Sequence, residues 1–254
     1  MAGDARSTRH IYDEQANRWS RSDRVLLSDF TARPHVIRTL QPLKDARVLD
    51  LGCGEGYVSR LAHGAGAASV LGLDVSGEMV EIARRSAGDE GALRYERWDA
   101  NEDTLPAGPF DRIIAVFLFN YLTLDQMEQV LREVRSRLAP GGRFVFTVPH
   151  PCLAYMKPLE PPFFFDPAGF DYFDGLNATY EGRIWRRDGQ NVSVRCVHKR
   201  FADYFAALSR AGWTNCPAVE ELSVSDAHLA LDPEFFTPLK GYPLHVMFTL
   251  ESEA

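Results

Sequence analysis

Between residues 45 and 149, short continuous apolar runs alternate with stretches whose apolar residues recur at helical spacing. Arg47-Val48-Leu49-Asp50-Leu51 reads as a buried strand, Gly52 to Gly56 as a turn and Tyr57 to Ala62 as a helix. Ala68 to Asp74 is the second strand, and Ser76 caps the helix after it by accepting from free N–H groups, with Glu78 as first-turn acid. Leu93 to Trp98 is the third strand. Asp111 to Leu118 is the fourth, and its unbroken apolar character suits a parallel sheet covered on both faces. Leu124 to Leu138 is an amphipathic helix stopped by Pro140-Gly141-Gly142, and Arg143 to Val148 is the fifth strand. This order predicts an α/β fold built on a doubly wound, mostly parallel sheet, with its ligand crevice beyond the carboxyl ends of the strands.

The flanks follow other patterns. Ser7 to Phe30 is polar with spaced apolar positions (Ile11, Tyr12, Trp19, Val25, Leu26), as a helical lid would be. Residues 1–44 are assigned to that lid and 45–149 to the core. Residues 150–199 are rich in Pro and aromatics, with a hairpin signal at Asp188-Gly189 between Gly182–Arg187 and Asn191–His198. They form an insertion after the fifth strand, expected over the crevice. Residues 200–254 supply a helix from Phe201 to Ala211, a strand within Trp213 to Leu222 and a last strand from Leu244 to Leu250, which makes seven strands in a single domain.

Composition narrows the function classes. The chain has 254 residues, enough for one elaborated domain, and its net charge of −7 provides no basic field for a phosphate backbone, so no nucleic-acid partner is expected. No stretch approaches the roughly 20 apolar residues that cross a bilayer, and the opening MAGDARSTRH has no apolar signal core; a cytoplasmic location with no membrane partner is expected. Cys53, Cys152, Cys196 and Cys216 are scattered, which argues against a zinc site or a redox pair. No metal is expected.

The glycine turn carries the chemistry. Its pattern is G-x-G-x-G, with Tyr57 where a dinucleotide fingerprint would want its last glycine, and Asp50 closes the strand before it. A carboxylate there repels a pyrophosphate and suits an ammonium group. Asp74, about 20 residues further on, ends the second strand where a carboxylate accepts from ribose hydroxyls. An oxidoreductase on a true dinucleotide fold remains the competing class, opposed by Tyr57.

From about residue 45 to 150 the sequence resembles the class I methyltransferases that use S-adenosylmethionine (SAM), leaving S-adenosylhomocysteine (SAH) as product. The resemblance implies that Asp50 lies near the methionine ammonium group, that Gly52, Cys53 and Gly54 line the cofactor, and that Asp74, followed by Val75, holds the ribose. It also implies that Met79 touches the adenine face and Asp99-Ala100 its edge, while Leu138-Ala139-Pro140-Gly141-Gly142 matches the family's L-x-P-G-G turn. Phe117 at the end of the fourth strand and Tyr12 from the lid complete the expected cofactor-binding set. On the residues alone, Asp50 as a turn cap, Asp74 as a strand end and Met79 as core filler stay open.

The acceptor is less legible. The D/N-P-P-Y/F turn of enzymes that methylate planar nitrogens is missing, and the fourth strand runs instead into Asn120 and Tyr121. Tyr121, His150 and His198 are the candidate catalytic groups, the histidines because imidazole accepts a proton near neutrality. Each also has a purely structural reading. Phe163, Phe164, Phe165, Phe170, Tyr172, Phe173 and Trp185 form either an apolar wall for a flat acceptor or a satellite core. The order beyond the sheet looks like bacterial small-molecule methyltransferases. The expectation is methyl transfer to O, N or C of a small molecule, with a homodimer left open. The alternative is a SAM-binding protein with a non-methylating or regulatory role.

Overall fold

The computed structural model describes residues 8–21, 23–88 and 91–252, apart from the side chains of Thr8, Ile11 and Asn17. Ser7 and the opening segment thus lie outside the described residues. The chain enters through helices α1 (Thr8–Trp19), α2 (Ser28–Thr31) and α3 (Arg33–Thr39), then runs β1 (Arg47–Leu51), α4 (Tyr57–Gly64), β2 (Ser69–Asp74), α5 (Gly77–Ala87), β3 (Leu93–Arg97), β4 (Phe110–Val116), α6 (Leu124–Arg137) and β5 (Leu138–Pro149). The insertion supplies α7 (Leu153–Met156), β6 (Phe163–Asp166), β7 (Thr179–Trp185) and β8 (Asn191–Val197). It is followed by α8 (Phe201–Arg210), β9 (Ala218–Leu222), α9 (Asp226–Leu231), α10 (Pro233–Phe236) and β10 (His245–Glu251).

Seven strands form one sheet in the order β3-β2-β1-β4-β5-β10-β9, parallel from β3 to β5, with β10 antiparallel to both its neighbours. Successive side chains on a strand point to opposite faces, so central strands must be apolar at every position. Leu49, Ile113, Phe144 and Phe248 pack on one face with Met127, Val130 and Leu131 of α6 and Tyr204 and Leu208 of α8. Val48, Ile114, Val145 and Met247 pack on the other, with Val36 of α3 and Val58 and Ala62 of α4. The cap expected at Ser76 is formed, its hydroxyl accepting from Met79 N at 3.1 Å.

One expectation needs correction. Helix α6 ends at Arg137, before Pro140-Gly141-Gly142, and that tripeptide lies inside β5. Leu138 already pairs with Phe110, and the register shifts before Arg112 meets Arg143, so the extra residues bulge out of the ladder, with Gly141 at φ +67°. The N-terminal segment is helical in three pieces, α1, α2 and α3. The chain leaves α1 at Trp19, and buried Asp29 gathers the backbone N–H groups of Val25 (3.1 Å) and Leu26 (2.9 Å) together with the Arg21 guanidinium (2.8 and 2.9 Å). That knot holds the linker in a non-helical path.

The insertion folds as an antiparallel sheet, β6-β7-β8, with the hairpin where the sequence placed it. Phe163, Phe165 and Val194 bury against Leu27 and Phe30 from the N-terminal segment and Phe236, Leu239 and Leu244 from the C-terminal one. This second core fixes the insertion over the carboxyl ends of the main strands. Among the described residues no helix is long and apolar enough to cross a membrane.

Candidate active site

A cavity of about 460 Å³ opens at the carboxyl ends of β1, β2 and β4, within the range of small-molecule sites. Its floor is the glycine turn. Gly52 N and Cys53 N both donate to Leu73 O (2.8 and 3.0 Å), which pins the turn to the end of β2. Gly54 has φ +56°, lines the cavity, and meets no protein atom within 4 Å of where a Cβ would stand. Gly56, at φ +81°, does not line the cavity, and a Cβ there would lie 2.6 Å from Tyr95 Oη. The third glycine therefore serves packing. Gly56→Ala is expected to lose at least about 2 kcal/mol of stability, since left-handed backbone alone costs about 1–3 kcal/mol; an unchanged denaturation midpoint would contradict this.

The carboxyls that close β1 and β2, Asp50 and Asp74, line the cavity. Asp74 accepts from Gly54 N (2.8 Å) on one oxygen and from Ser76 N (2.9 Å) on the other, which fixes its plane and leaves each oxygen further accepting capacity. Burial raises its pKa against those bonds. Asp50 is buried and accepts from the neutral Ser59 hydroxyl at 2.6 Å. Burial pushes its pKa up to about 7, with the Ser59 bond opposing and the Asp74 charge adding. Such a group gains most from a cation brought to it.

An under-used cation stands nearby. Arg21 ties Asp29 to Glu55 (3.0 Å), and Arg60 holds Glu55 at 2.6 Å, whereas Arg33 bonds Asp29 (2.9 Å) and the Ser28 hydroxyl and leaves its Nε buried without a partner. Burial lowers the Arg33 pKa, and its charge in turn lowers that of Asp50. A hungry carboxyl beside a half-satisfied guanidinium is complementary to the ammonium and carboxylate of an amino acid. Fixed Asp74 is complementary to paired hydroxyls.

The other expected cofactor residues reach the same cavity. Cys53, Val75, Asp99 and Ala100 line it, as does Met79, which also packs on Ala16 of α1 and so belongs to core and wall together. Asp99 is engaged by Asn101 (2.9 Å from its backbone N, 2.8 Å from its side chain). Burial raises the Cys53 pKa well above normal and keeps the thiol neutral. Phe117 takes a positive φ of +60°, turning the chain out of β4 into the 3-10 turn Phe119–Tyr121. Tyr12 and Tyr121 share a hydrogen bond between their hydroxyls and pack edge to face with ring centres 5.4 Å apart, so α1 closes the cavity from above.

His150 and His198 lie elsewhere. His150 Nε2 bonds Glu221 at 2.7 Å and its Nδ1 accepts from Cys152 N, while His198 Nε2 donates to Tyr172 O at 2.9 Å; neither ring lines the cavity. Both hold chain segments together, because the residues just after β5 and β8 turn away from the strand ends. The histidine in the cavity wall is His245, the first residue of β10. It sits inside an apolar run whose pattern signals only strand. Arg33 and Trp98 also line the cavity without having been singled out from the sequence. Of the insertion's aromatics, Phe163 and Phe165 face the cavity, and strand alternation turns Phe164 away to pack on Trp185 with ring centres 5.8 Å apart. Tyr172 Oη accepts from Phe201 N at 2.7 Å, and Phe173 is 72% exposed. Phe164, Phe170, Tyr172, Phe173 and Trp185 are thus not cavity wall.

Residues 48–142 match the model of a family described as a methyltransferase domain. A curated protein of Haemophilus influenzae, itself uncharacterised, is 29% identical over 145 residues, which is 55% of this chain and 56% of that protein. The ribosomal protein L11 methyltransferase of Burkholderia thailandensis is 36% identical over 113 residues, 43% of this chain and 33% of that enzyme. The chain therefore spans only about a third to a half of these relatives' length. A crystal structure of a SAM-dependent methyltransferase from Mesorhizobium loti superposes with a TM-score of 0.64 at 27% identity, covering 88% of this chain and 99% of that one. With the strand order, the glycine turn and the two acids that close β1 and β2, these likenesses show a class I methyltransferase domain, which uses SAM, over residues 48–142.

Proposed function

We propose that the protein transfers the methyl group of SAM to a small molecule bound between the main sheet and the insertion. The donor set fits SAM: Asp50 would hold the ammonium group, Arg33 the carboxylate and Asp74 the ribose hydroxyls, with Met79 and Ala100 against the adenine. When bound, SAM supplies an activated methyl on a sulfonium, and the chain's task is to hold a nucleophile in line and keep water out. The observation that carries the small-molecule reading is the enclosure of the cavity. Beyond the glycine turn it is walled by Phe163, Phe165, Ile184 and Val194, and α1 closes it through Tyr12 and Tyr121. A flat apolar molecule suits that space better than a protein loop. The matches to ribosomal protein L11 methyltransferases cover 43% of this chain and 33% of that enzyme, so the acceptor of those enzymes does not carry over to this chain. A non-methylating SAM-binding role would use the same donor set, and a methylated product separates the two.

Strand alternation gives the test. Phe165→Leu enlarges the acceptor space, whereas Trp185→Leu alters only the outer face. The first is expected to change the rate or product profile with labelled SAM several-fold at unchanged SAH affinity, and the second to leave both unchanged. Equal behaviour of the two variants would remove the insertion from acceptor selection.

A further inference from the structure

The histidine in the cavity wall has a defined protonation pattern. The Thr31 hydroxyl donates to Leu27 O at 3.0 Å, which commits its only hydrogen. Thr31 Oγ1 lies 3.1 Å from His245 Nε2, so it must accept there, and Nε2 must carry the imidazole hydrogen. The other ring nitrogen, Nδ1, is then a bare lone pair. It is buried and has no hydrogen-bond partner, on a residue only 2% exposed. A buried acceptor left unpaired costs about 1–3 kcal/mol, which a ligand donor would recover. Burial, followed by the charges of Arg33, His150 and His35, lowers the His245 pKa to about 3, so the ring stays neutral.

Register puts this ring at the reacting end of the sheet. His245 pairs with Pro149, the last residue of β5, and β5 runs parallel to β4 and β1, whose carboxyl ends hold Phe117 and Asp50. Its ring centre is 5.0 Å from that of Phe117 and 5.7 Å from that of Phe163, both cavity residues. We propose that His245 is the catalytic base of the acceptor half, its bare Nδ1 accepting the O–H or N–H of the nucleophile. The acceptor class is accordingly a hydroxylated or aminated flat, apolar molecule. An ionised carboxylate is selected against, since its lone pairs would face another lone pair. This rests on the methyltransferase reading.

The acceptor oxygen forms its bond to the methyl carbon as the bond from that carbon to sulfur breaks, its O–H proton passes to Nδ1, and the resulting imidazolium gives the proton to water. A weakly basic ring suffices, because an alkylated hydroxyl is strongly acidic until that proton leaves. So weak a base falls short of the about 10²–10⁴-fold that a base matched to neutral pH supplies, and its removal lowers the rate on the order of tenfold.

The test is nitrogen NMR of ¹⁵N-histidine-labelled protein loaded with SAH. His245 is expected to show protonated Nε2 and unprotonated Nδ1, phenol to shift the Nδ1 signal, and anisole, which has no hydroxyl proton, not to. His245→Asn should bind SAH as tightly as the parent while methylating phenols from labelled SAM on the order of tenfold more slowly. A protonated Nδ1, no shift with phenol up to its solubility limit, or full activity of His245→Asn overturns the proposal. Failure of SAH to bind at all would instead overturn the methyltransferase reading.

Discussion

Asp74→Ala should weaken SAH at least about tenfold and lower the melting temperature at the same time. Each bond from a ribose hydroxyl to a carboxylate in a partly dry site contributes about 1.5–3 kcal/mol, and tenfold in affinity is about 1.4 kcal/mol. The stability loss has a separate cause. Asp74 also receives Gly54 N and Ser76 N, and orphaning buried N–H groups costs about 1–3 kcal/mol, or about 2–4 °C per kcal/mol in a chain of this size. A truncated ligand separates the roles of the two acids. Toward 5′-methylthioadenosine, which keeps the ribose and lacks the amino-acid end, Asp74→Ala should bind weakly and Asp50→Asn normally; toward SAH both should be weak. If Asp50→Asn altered the melting temperature alone, its acid would serve only the turn.

The second large effect is on pH. An ammonium ligand requires ionised Asp50, whose pKa is about 7 in the free protein. Below that value each unit of pH should cost about tenfold in SAH affinity, so binding at pH 5 should be about a hundredfold weaker than the plateau above pH 7. The stability contribution has the opposite sign. A carboxyl whose folded pKa is raised keeps its proton in the folded chain, so its contribution is greatest below the unfolded pKa near 4 and is lost as pH rises through 7. Calorimetric titrations from pH 5 to 8 with parent and Asp50→Asn test this; a flat profile in the parent would show that Asp50 does not meet the ammonium group.

The cofactor half was legible because its chemistry and its backbone geometry share one short stretch. Positive φ at Gly52, Gly54 and Gly56, with acids closing two adjacent strands, leaves a local signature. The acceptor half is assembled from distant residues. His245 is an ordinary member of an apolar run until the antiparallel return of β10 sets it beside Pro149. Arg33 carries no signal of its own in the sequence, and its pairing with buried Asp29 is what draws it inward. The insertion's aromatics divide into inner and outer sets only through the side-chain alternation of β6, which the aromatic run Phe163-Phe164-Phe165 does not reveal. Pro140-Gly141-Gly142 reads as a helix stop in the sequence because a bulge and a loop use the same residues.

The most direct measurement is the fate of the methyl label. The protein is incubated with methyl-tritiated SAM and a mixture of hydroxylated and aminated aromatic compounds, and in parallel with a ribosomal protein extract, and each reaction is divided into solvent-extractable and acid-precipitable fractions. Label is expected in the extractable small-molecule fraction, reduced at sub-saturating SAM with Asp74→Ala and changed several-fold in amount or product profile with Phe165→Leu. Label confined to precipitated protein, or none transferred by protein that binds SAH, would contradict that expectation.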